Sequence, residues 1–173
     1  MSYKEKLNDF NSKLKYHEEL LFLDLLMCNA EGKILDYGCG TGYAVDCLRE
    51  HGKDVFGYDA TQYEPTFKYS PAIGSFEIVY FMHSIAHIPG IKEVIKALDT
   101  ESIIVITPNL SWIRLQQKDN NYVADPTIIE HFTKKSLEKL FISCGFSIDL
   151  IGEIGQKTEN HSERLVLKAS KIK

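Results

Sequence analysis

The sequence contains no apolar run long enough to cross a membrane, which takes about 20 residues. Its longest apolar run, from Leu20 to Cys28, is interrupted by Asp24. The first residues, Met1 to Lys6, also lack the apolar segment of a secretory signal peptide. We therefore expect a cytoplasmic protein with no membrane partner.

An excess of positive charge is absent as well. The 173 residues carry 20 Lys and Arg against 24 Asp and Glu, which gives a formal net charge of −4. A protein that neutralises nucleic-acid phosphates usually carries a basic excess. The charge balance therefore argues against nucleic acid as a partner.

Cysteines are few and scattered. The four residues, Cys28, Cys39, Cys47 and Cys144, form no C-x-x-C pair and no zinc-finger spacing with histidine. Disulfide frameworks are rare in cytosolic chains of this size. We expect reduced thiols and no metal site.

Helical and strand-like segments alternate along the chain. A helix is predicted from Leu7 to Asn29, and its second half is expected to be buried because nearly every position from Leu20 onward is apolar. No linker or internal repeat divides the sequence. Residues 1–173 are therefore expected to form one domain, with the helix of residues 1–30 packed on the rest.

The remaining elements follow the order typical of an α/β protein. A strand, a glycine-rich turn, a helix and a second strand come in quick succession, which predicts a parallel sheet. The last two strands are joined by too few residues for a crossover helix, so they should form an antiparallel hairpin. Residues 108–132 are predicted to be a long irregular loop. The predicted strands are Lys33–Tyr37, Asp54–Asp59, Phe76–Phe81, Ser102–Thr107, Phe146–Ile151 and Glu163–Ala169, and the predicted helices are Tyr43–His51, Gly90–Leu98 and one that begins after Thr133.

The stretch from Asp36 to Gly42, DYGCGTG, lies between a predicted strand and a predicted helix. Glycines there allow a sharp turn and let a ligand approach the main chain closely, and a helix N-terminus favours an anionic group. Tyr43 stands where a dinucleotide site has its third glycine, which argues against an NAD enzyme. Asp59, at the end of the next strand, suits ribose hydroxyls in either class of cofactor.

This sequence resembles the class I S-adenosylmethionine-dependent methyltransferases over about residues 33–169. It is most similar to the small-molecule branch, such as the quinone-biosynthesis O-methyltransferases and the sugar N-methyltransferases. The resemblance implies a Rossmann-like, doubly wound, mainly parallel sheet and S-adenosylmethionine as cofactor. The motifs that carry it are DYGCGTG (36–42), GYDA (57–60), FEIVYFMHSIAHI (76–88), ITPN (106–109) and FTKKSLEKLFISCGF (132–146).

The resemblance also implies which residues hold the cofactor. Asp36 would hold the loop and reach the cofactor's amino group, and Asp59 would accept the ribose hydroxyls. The full implied set is Asp36, Gly38, Cys39, Gly40, Gly42, Asp59, Ala60, Phe81, Met82 and His83. Only sixteen residues, Ala60–Ser75, separate the family's second and fourth strands. The adenine pocket is therefore expected to be abbreviated. Either cofactor binding is weakened, or the adenine is covered by another element or by a second subunit of a homodimer.

The expected activity is transfer of a methyl group to an oxygen or nitrogen of a small-molecule acceptor. An acceptor of this kind benefits from a base that titrates near neutral pH, and His87 and His131 are the candidates. Trp112, Tyr122 and Phe132 are candidates for a hydrophobic lid over the acceptor, although Trp112 could equally anchor its loop to the core. The shortened Ala60–Ser75 segment keeps an alternative open, a catalytically degenerate regulatory subunit that binds S-adenosylmethionine or S-adenosylhomocysteine.

Overall fold

The computed structural model describes residues 10–60, 74–115, 125–157 and 162–172. Five helices and six strands alternate in them, with a short 3₁₀ turn at Ile85–His87. The helices are α1 (Phe10–Leu26), α2 (Tyr43–Glu50), α3 (Ile91–Ala97), α4 (Leu110–Leu115) and α5 (Lys134–Ser143). The strands are β1 (Ile34–Tyr37), β2 (Val55–Tyr58), β3 (Ser75–Met82), β4 (Asp99–Pro108), β5 (Phe146–Lys157) and β6 (Ser162–Lys171).

The six strands form one sheet in the order β2-β1-β3-β4-β6-β5. The four strands β2, β1, β3 and β4 run parallel, and β6 is antiparallel to both β4 and β5. This confirms the predicted fold class, a mainly parallel sheet that ends in an antiparallel C-terminal hairpin. The hairpin strands are longer than predicted, because β5 continues past Ile151 to Lys157.

Helices cover both faces of the sheet, as a doubly wound fold requires. On one face α1 and α2 pack against apolar side chains such as Ile34, Ile78 and Ile104. On the other face α3 and α5 pack against residues such as Val79 and Val105. The central strand β4 is buried from Ile103 to Thr107 without alternation, as a strand covered on both faces should be.

Helix α1 buries less of its second half than the sequence predicts. Leu20, Leu23 and Met27 lie in the core, but Leu21 and Leu25 remain 62% and 66% exposed. A continuous apolar run gives no period by which to choose the buried face, so packing against α2 and the sheet decides it.

Polar contacts fix the end of α1 against the rest of the molecule. Asp24 lies 3.0 Å from Nδ1 of His51, at the end of α2. The Lys53 ammonium donates to the Met27 carbonyl at 2.7 Å, and Lys168 donates to the Leu26 carbonyl at 2.9 Å. These bonds satisfy carbonyls that a helix end leaves without partners.

The prediction of an irregular loop over residues 108–132 is wrong in part, because helix α4 occupies Leu110–Leu115. Asn109, fully buried, starts this helix: its side-chain oxygen accepts from the Ser111 amide at 3.1 Å, and its amide group donates to the Ser162 carbonyl at 2.9 Å. An asparagine at this position satisfies a free helix amide. Of the predicted lid residues, Tyr122 lies outside the described residues. Phe132 is 1% exposed and packs in the core, so its prediction as a lid residue is wrong.

The segment predicted to be shortened, Ala60–Ser75, joins β2 to β3, and β2 is the edge strand on that side of the sheet. Among the described strands, β2 is hydrogen-bonded only to β1, and none lies between β2 and β3 along the chain. Residues 61–73, which make up most of that interval, lie outside the described residues.

We expect Thr133→Ala to lower the free energy of unfolding by about 1 kcal/mol, because it removes the N-cap of α5. The Thr133 hydroxyl accepts from the Ser136 amide at 3.2 Å, and the Ser136 hydroxyl accepts from the Thr133 amide at 2.9 Å. Urea unfolding followed by circular dichroism measures the change. Ser143→Ala, at the exposed other end of the same helix, is the matched control and should change stability by less than about 0.5 kcal/mol. Equal losses in the two variants would contradict the capping role.

Candidate functional site

The carboxyl ends of the four parallel strands meet at one edge of the sheet, where open α/β sheets bind ligands. Residues 38–42, the glycine loop, leave β1 at this edge and lead into α2. The Gly38 and Cys39 amides both donate to the Tyr58 carbonyl, at 2.7 Å and 3.1 Å. The loop is therefore tied to the end of β2 as well as to β1.

Two glycines of this loop are required for different reasons. Gly38 has φ +85°, and a Cβ added there would overlap the Cβ of Ser84, so only glycine lets the loop pack this closely on the end of β3. Gly40 has φ +54°, and a Cβ there would meet nothing within 4 Å in the structure. The space beside Gly40 fits the predicted approach of a ligand to the main chain.

Asp59 follows β2 directly and reaches the same loop. Its Oδ2 accepts from the Gly40 amide at 2.8 Å, which the sequence did not predict. The carboxylate is half-buried, so it also faces solvent at this edge. Asp59 thus fixes the glycine loop and places a negative charge beside the open space at Gly40.

Asp36, on β1, lies beneath the loop and is fully buried. Burial raises the pKa of its carboxyl to about 8, the Tyr80 hydroxyl opposes the rise, and the nearby Asp59 carboxylate adds to it. Its Oδ1 is buried with no hydrogen-bond partner among the described residues. A buried carboxyl oxygen without a partner costs free energy, and a cationic group on a ligand would supply one.

Cys39 lies between these two acids. Burial, with help from the Asp36 and Asp59 charges, raises the pKa of its thiol to about 12. The thiol is therefore neutral and a poor nucleophile at physiological pH. Its contribution to the site is the backbone of the loop.

The structure places the other predicted cofactor residues in different surroundings. Gly42, buried, is the N-cap of α2, and Ala60, exposed, follows Asp59. Phe81 is fully buried in the core, with its ring 5.3 Å from that of Tyr37. Met82 is buried on the α1 side of the sheet, and His83 begins the turn after β3.

His83 takes part in an ionic cluster that sequence reasoning missed. Its Nε2 lies 2.5 Å from Oε2 of Glu19, and the other Glu19 oxygen lies 3.1 Å from Nε of Arg164. Arg164 also pairs with Glu163 at 2.8 Å. Glu19 lies four residues before the buried Leu23 and therefore on the same face of α1, so a carboxylate on the buried face of this helix was the available signal.

Helix α1 also contacts the start of α2. The Tyr43 hydroxyl and Nε2 of His17 lie 2.9 Å apart, and the ring of Tyr16 is 5.7 Å from that of Tyr43. Tyr43, the residue that argued against a dinucleotide site, therefore joins α1 to the end of the glycine loop.

The two candidate bases follow the ends of β3 and β4. Nδ1 of His87 lies 3.0 Å from both the hydroxyl and the carbonyl oxygen of Thr127, so this exposed histidine joins the 3₁₀ turn to residues 125–130. His131 is half-buried and precedes Phe132, whose carbonyl accepts from the Leu110 amide at the start of α4. Trp112, on the same helix, has a buried indole Nε1 with no hydrogen-bond partner among the described residues.

Comparison with known proteins identifies the family. The family model described as a methyltransferase domain matches residues 9–151. This chain belongs to that family. The match confirms the resemblance to class I S-adenosylmethionine-dependent methyltransferases, which the glycine loop and Asp59 carry in the sequence. None of the curated proteins matches the sequence.

Solved structures with little sequence identity share the fold of this methyltransferase-family chain. Magnesium protoporphyrin IX methyltransferase from Synechocystis PCC 6803, with bound SAH, is 16% identical with a TM-score of 0.69, over 98% of this chain and 93% of that chain. A SAM-dependent methyltransferase from Methanosarcina mazei is 20% identical with a TM-score of 0.63, over 87% of this chain and 97% of that one. A third, from Mesorhizobium loti, is 15% identical with a TM-score of 0.61, over 81% and 91%.

The described residues contain neither a metal-binding cluster nor a membrane-spanning helix. No group of three or more His, Cys, Asp or Glu side chains in them is arranged to hold a metal ion. No helix in the same residues is long and apolar enough to span a membrane.

We expect Gly38→Ala to destabilise the fold more than Gly40→Ala. Both positions have positive φ, which costs alanine about 1–2 kcal/mol, but only the Gly38 variant also forces a methyl group against Ser84. Thermal melting of the two variants compares them directly. The double variant Gly38→Ala with Ser84→Gly should recover part of the loss, because it removes the overlapping Cβ. No recovery would show that the contact with Ser84 is not the constraint.

We also expect the buried Asp36 carboxyl to make folding less favourable as the pH rises. The folded protein keeps this proton up to about pH 8, whereas the unfolded chain loses it at about pH 4. Stability from this group is thus fully present below pH 4 and is lost as the pH rises through 8. Urea unfolding at pH 5 and pH 8 should show the wild type losing stability relative to Asp36→Asn. Parallel pH dependence of the two proteins would contradict the raised pKa.

Proposed function

We propose that this protein transfers the methyl group of S-adenosylmethionine to an oxygen or nitrogen atom of a small-molecule acceptor. S-adenosylmethionine is the cofactor, and methyl transfer is the activity of the family to which the chain belongs. The single observation that carries the proposal is the pairing of the glycine loop with Asp59, whose carboxylate bonds the Gly40 amide beside open space.

The cofactor's charged groups match the groups that this edge presents. Asp36, with its unpartnered buried oxygen, suits the cofactor's ammonium group. The backbone of Gly38, Cys39 and Gly40 would line the methionine part, and Asp59 would accept the ribose hydroxyls with charge-assisted hydrogen bonds. Ala60 and the residues from Phe81 to His83 complete the proposed binding set, and Gly42 starts the helix behind it.

The bound cofactor supplies a methyl group on a positively charged sulfur, which any aligned nucleophile can accept. The protein's main task is therefore alignment, which converts an encounter of two molecules into an intramolecular step. His87 and His131, after the ends of β3 and β4, are proposed for the acceptor side, where they orient the acceptor. The unpartnered indole of Trp112, on α4, offers a further hydrogen-bond donor.

The proposal also covers the class of acceptor, the domain organisation and the location of the protein. The acceptor is a small molecule, since the net charge of −4 disfavours nucleic acid. Residues 1–173 act as one domain in the cytoplasm. The regulatory-subunit alternative shares the binding residues and differs only in lacking turnover.

A turnover assay distinguishes an active methyltransferase from a regulatory subunit that only binds the cofactor. The purified protein is incubated with methyl-labelled S-adenosylmethionine and a deproteinised cell extract, and labelled products are identified by mass. We expect label in at least one small molecule. Calorimetric binding of S-adenosylhomocysteine without any labelled product would favour the regulatory subunit, and no binding at millimolar ligand would refute both.

Asp59→Ala should weaken S-adenosylhomocysteine binding at least about tenfold, which corresponds to about 1.4 kcal/mol. It removes both the proposed ribose contact and the bond to the Gly40 amide. Asp59→Asn, which keeps an oxygen for that amide but loses the charge, should bind with intermediate affinity. Isothermal calorimetry gives the dissociation constants.

The matched control is Asp54→Ala, an exposed carboxylate just before the other end of β2. It should bind like the wild type. If Asp59→Ala binds normally but melts several degrees lower, Asp59 serves the fold alone and the assignment is wrong.

A further inference from the structure

Three separate elements bring charged side chains together around Glu19. Its two carboxylate oxygens contact His83, after β3, and Arg164, on β6, while Glu19 itself lies on α1. The Glu19 side chain is only 11% exposed, whereas those of His83 and Arg164 are 28% and 21% exposed. The carboxylate is therefore enclosed, and the imidazole keeps an accessible surface.

The cluster fixes which nitrogen of His83 carries the proton. Burial raises the pKa of Glu19, but His83 and Arg164 outweigh it and hold that pKa below its ordinary value. Glu19 is thus ionised at neutral pH and can only accept hydrogen bonds. Nε2 of His83 must donate to it, and in the neutral imidazole Nδ1 is then an acceptor.

The backbone of His83 is held in an uncommon conformation. Among the described residues it is the only non-glycine with positive φ, at +59°. Such a conformation is strained, persists where the surroundings fix it, and clusters at active sites. The next residue, Ser84, packs on Gly38 and bonds the Tyr37 carbonyl at 2.5 Å. His83 therefore stands one residue from direct contact with the glycine loop.

We infer that Nδ1 of His83 takes the acceptor's proton in the proposed methyl transfer, and that Glu19 is the positioning residue that presents it. The inference rests on the proposed function. In the step, the acceptor oxygen or nitrogen forms a bond to the methyl carbon as the carbon–sulfur bond breaks. The sulfur keeps that electron pair and leaves as a neutral thioether, and the acceptor's proton moves to Nδ1. The positive charge thus passes from sulfur to the imidazolium, which Glu19 stabilises.

Among the described residues, His87 has no carboxylate partner of the kind that His83 has in Glu19, and its partner is Thr127. Its Nδ1 lies against the Thr127 carbonyl and hydroxyl, and the neighbouring Ala86 carbonyl accepts from the Ile129 amide at 2.8 Å. These contacts hold residues 125–130 against the 3₁₀ turn. A carboxylate partner orients His83, whereas these contacts give His87 a role in docking the acceptor-side segment.

The first test compares turnover of variants that keep the backbone. His83→Asn suits a positive φ, which asparagine tolerates. With methyl-labelled S-adenosylmethionine and the acceptor isolated from extract by its label, it should turn over at least about 100-fold more slowly. Because His83 also belongs to the proposed binding set, calorimetry with S-adenosylhomocysteine gives the affinity of each protein, and turnover is compared at saturating S-adenosylmethionine. Turnover close to that of the wild type would refute the inference and leave the proposed function intact.

The pH profile separates catalysis from structural support. Wild-type turnover should rise with pH to a plateau as the base loses its proton, and His83→Asn should lack this acid limb. The charged groups described around His83 are Glu19 and, beyond it, Arg164 with Glu163. Glu19→Gln keeps an acceptor for Nε2 but removes the negative charge that stabilises the imidazolium, so turnover should fall below that of the wild type.

His87→Ala and His131→Ala are the matched variants. Each is expected to lower turnover and keep the acid limb. Loss of the limb in either one, with its retention in His83→Asn, would assign the base elsewhere and overturn the inference.

A readout independent of turnover is the ¹⁵N spectrum of the histidine rings with S-adenosylhomocysteine bound. The His83 signals, assigned by their loss in His83→Asn, should show the proton on Nε2 in the wild type and lose that preference in Glu19→Ala. A proton on Nδ1 in the wild type would refute the arrangement. Absence of any labelled product from the wild type would instead refute the proposed function, and the inference with it.

Discussion

The close approach of the glycine loop to the end of β3 is the constraint on which the site depends. Gly38 packs where any side chain would overlap Ser84, and Ser84 in turn bonds the Tyr37 carbonyl. The Tyr58 carbonyl holds the loop from the other side. Three strand ends are therefore fixed to one another, and the space beside Gly40 stays open. In the proposed function this space is where the cofactor approaches the backbone.

This compact arrangement places two acids under the loop. Asp36 is fully buried, and Asp59 helps to raise its pKa to about 8, so the Asp36 carboxyl keeps its proton at neutral pH. Its Oδ1 has no hydrogen-bond partner among the described residues, and a buried oxygen without a partner costs free energy. In the proposed function the cofactor's ammonium group supplies that partner, which contributes to the affinity for the ligand.

Helix α1 provides the other side of the site, and ionic contacts rather than apolar ones set where it reaches the strand ends. Glu19 joins it to β3 and β6, and His17 joins it to Tyr43. Contacts of this kind have defined geometry, because each bond needs a donor and an acceptor in place. Apolar packing of Leu20 and Leu23 on the sheet supplies the burial, and the polar contacts supply the orientation.

The sequence by itself determined the sheet, the glycine loop, Asp36 and Asp59, because periodicity, glycine spacing and strand ends are local features. It also determined the helix after Thr133, whose cap is a local signal. Only the tertiary structure decided which face of α1 is buried and that Glu19 meets His83 and Arg164. These residues are far apart in the chain and come together through packing of α1 across two strands. No local pattern encodes such a meeting. The sequence placed His83 at the cofactor through the family resemblance, but nothing in it joined His83 to Glu19 or Arg164.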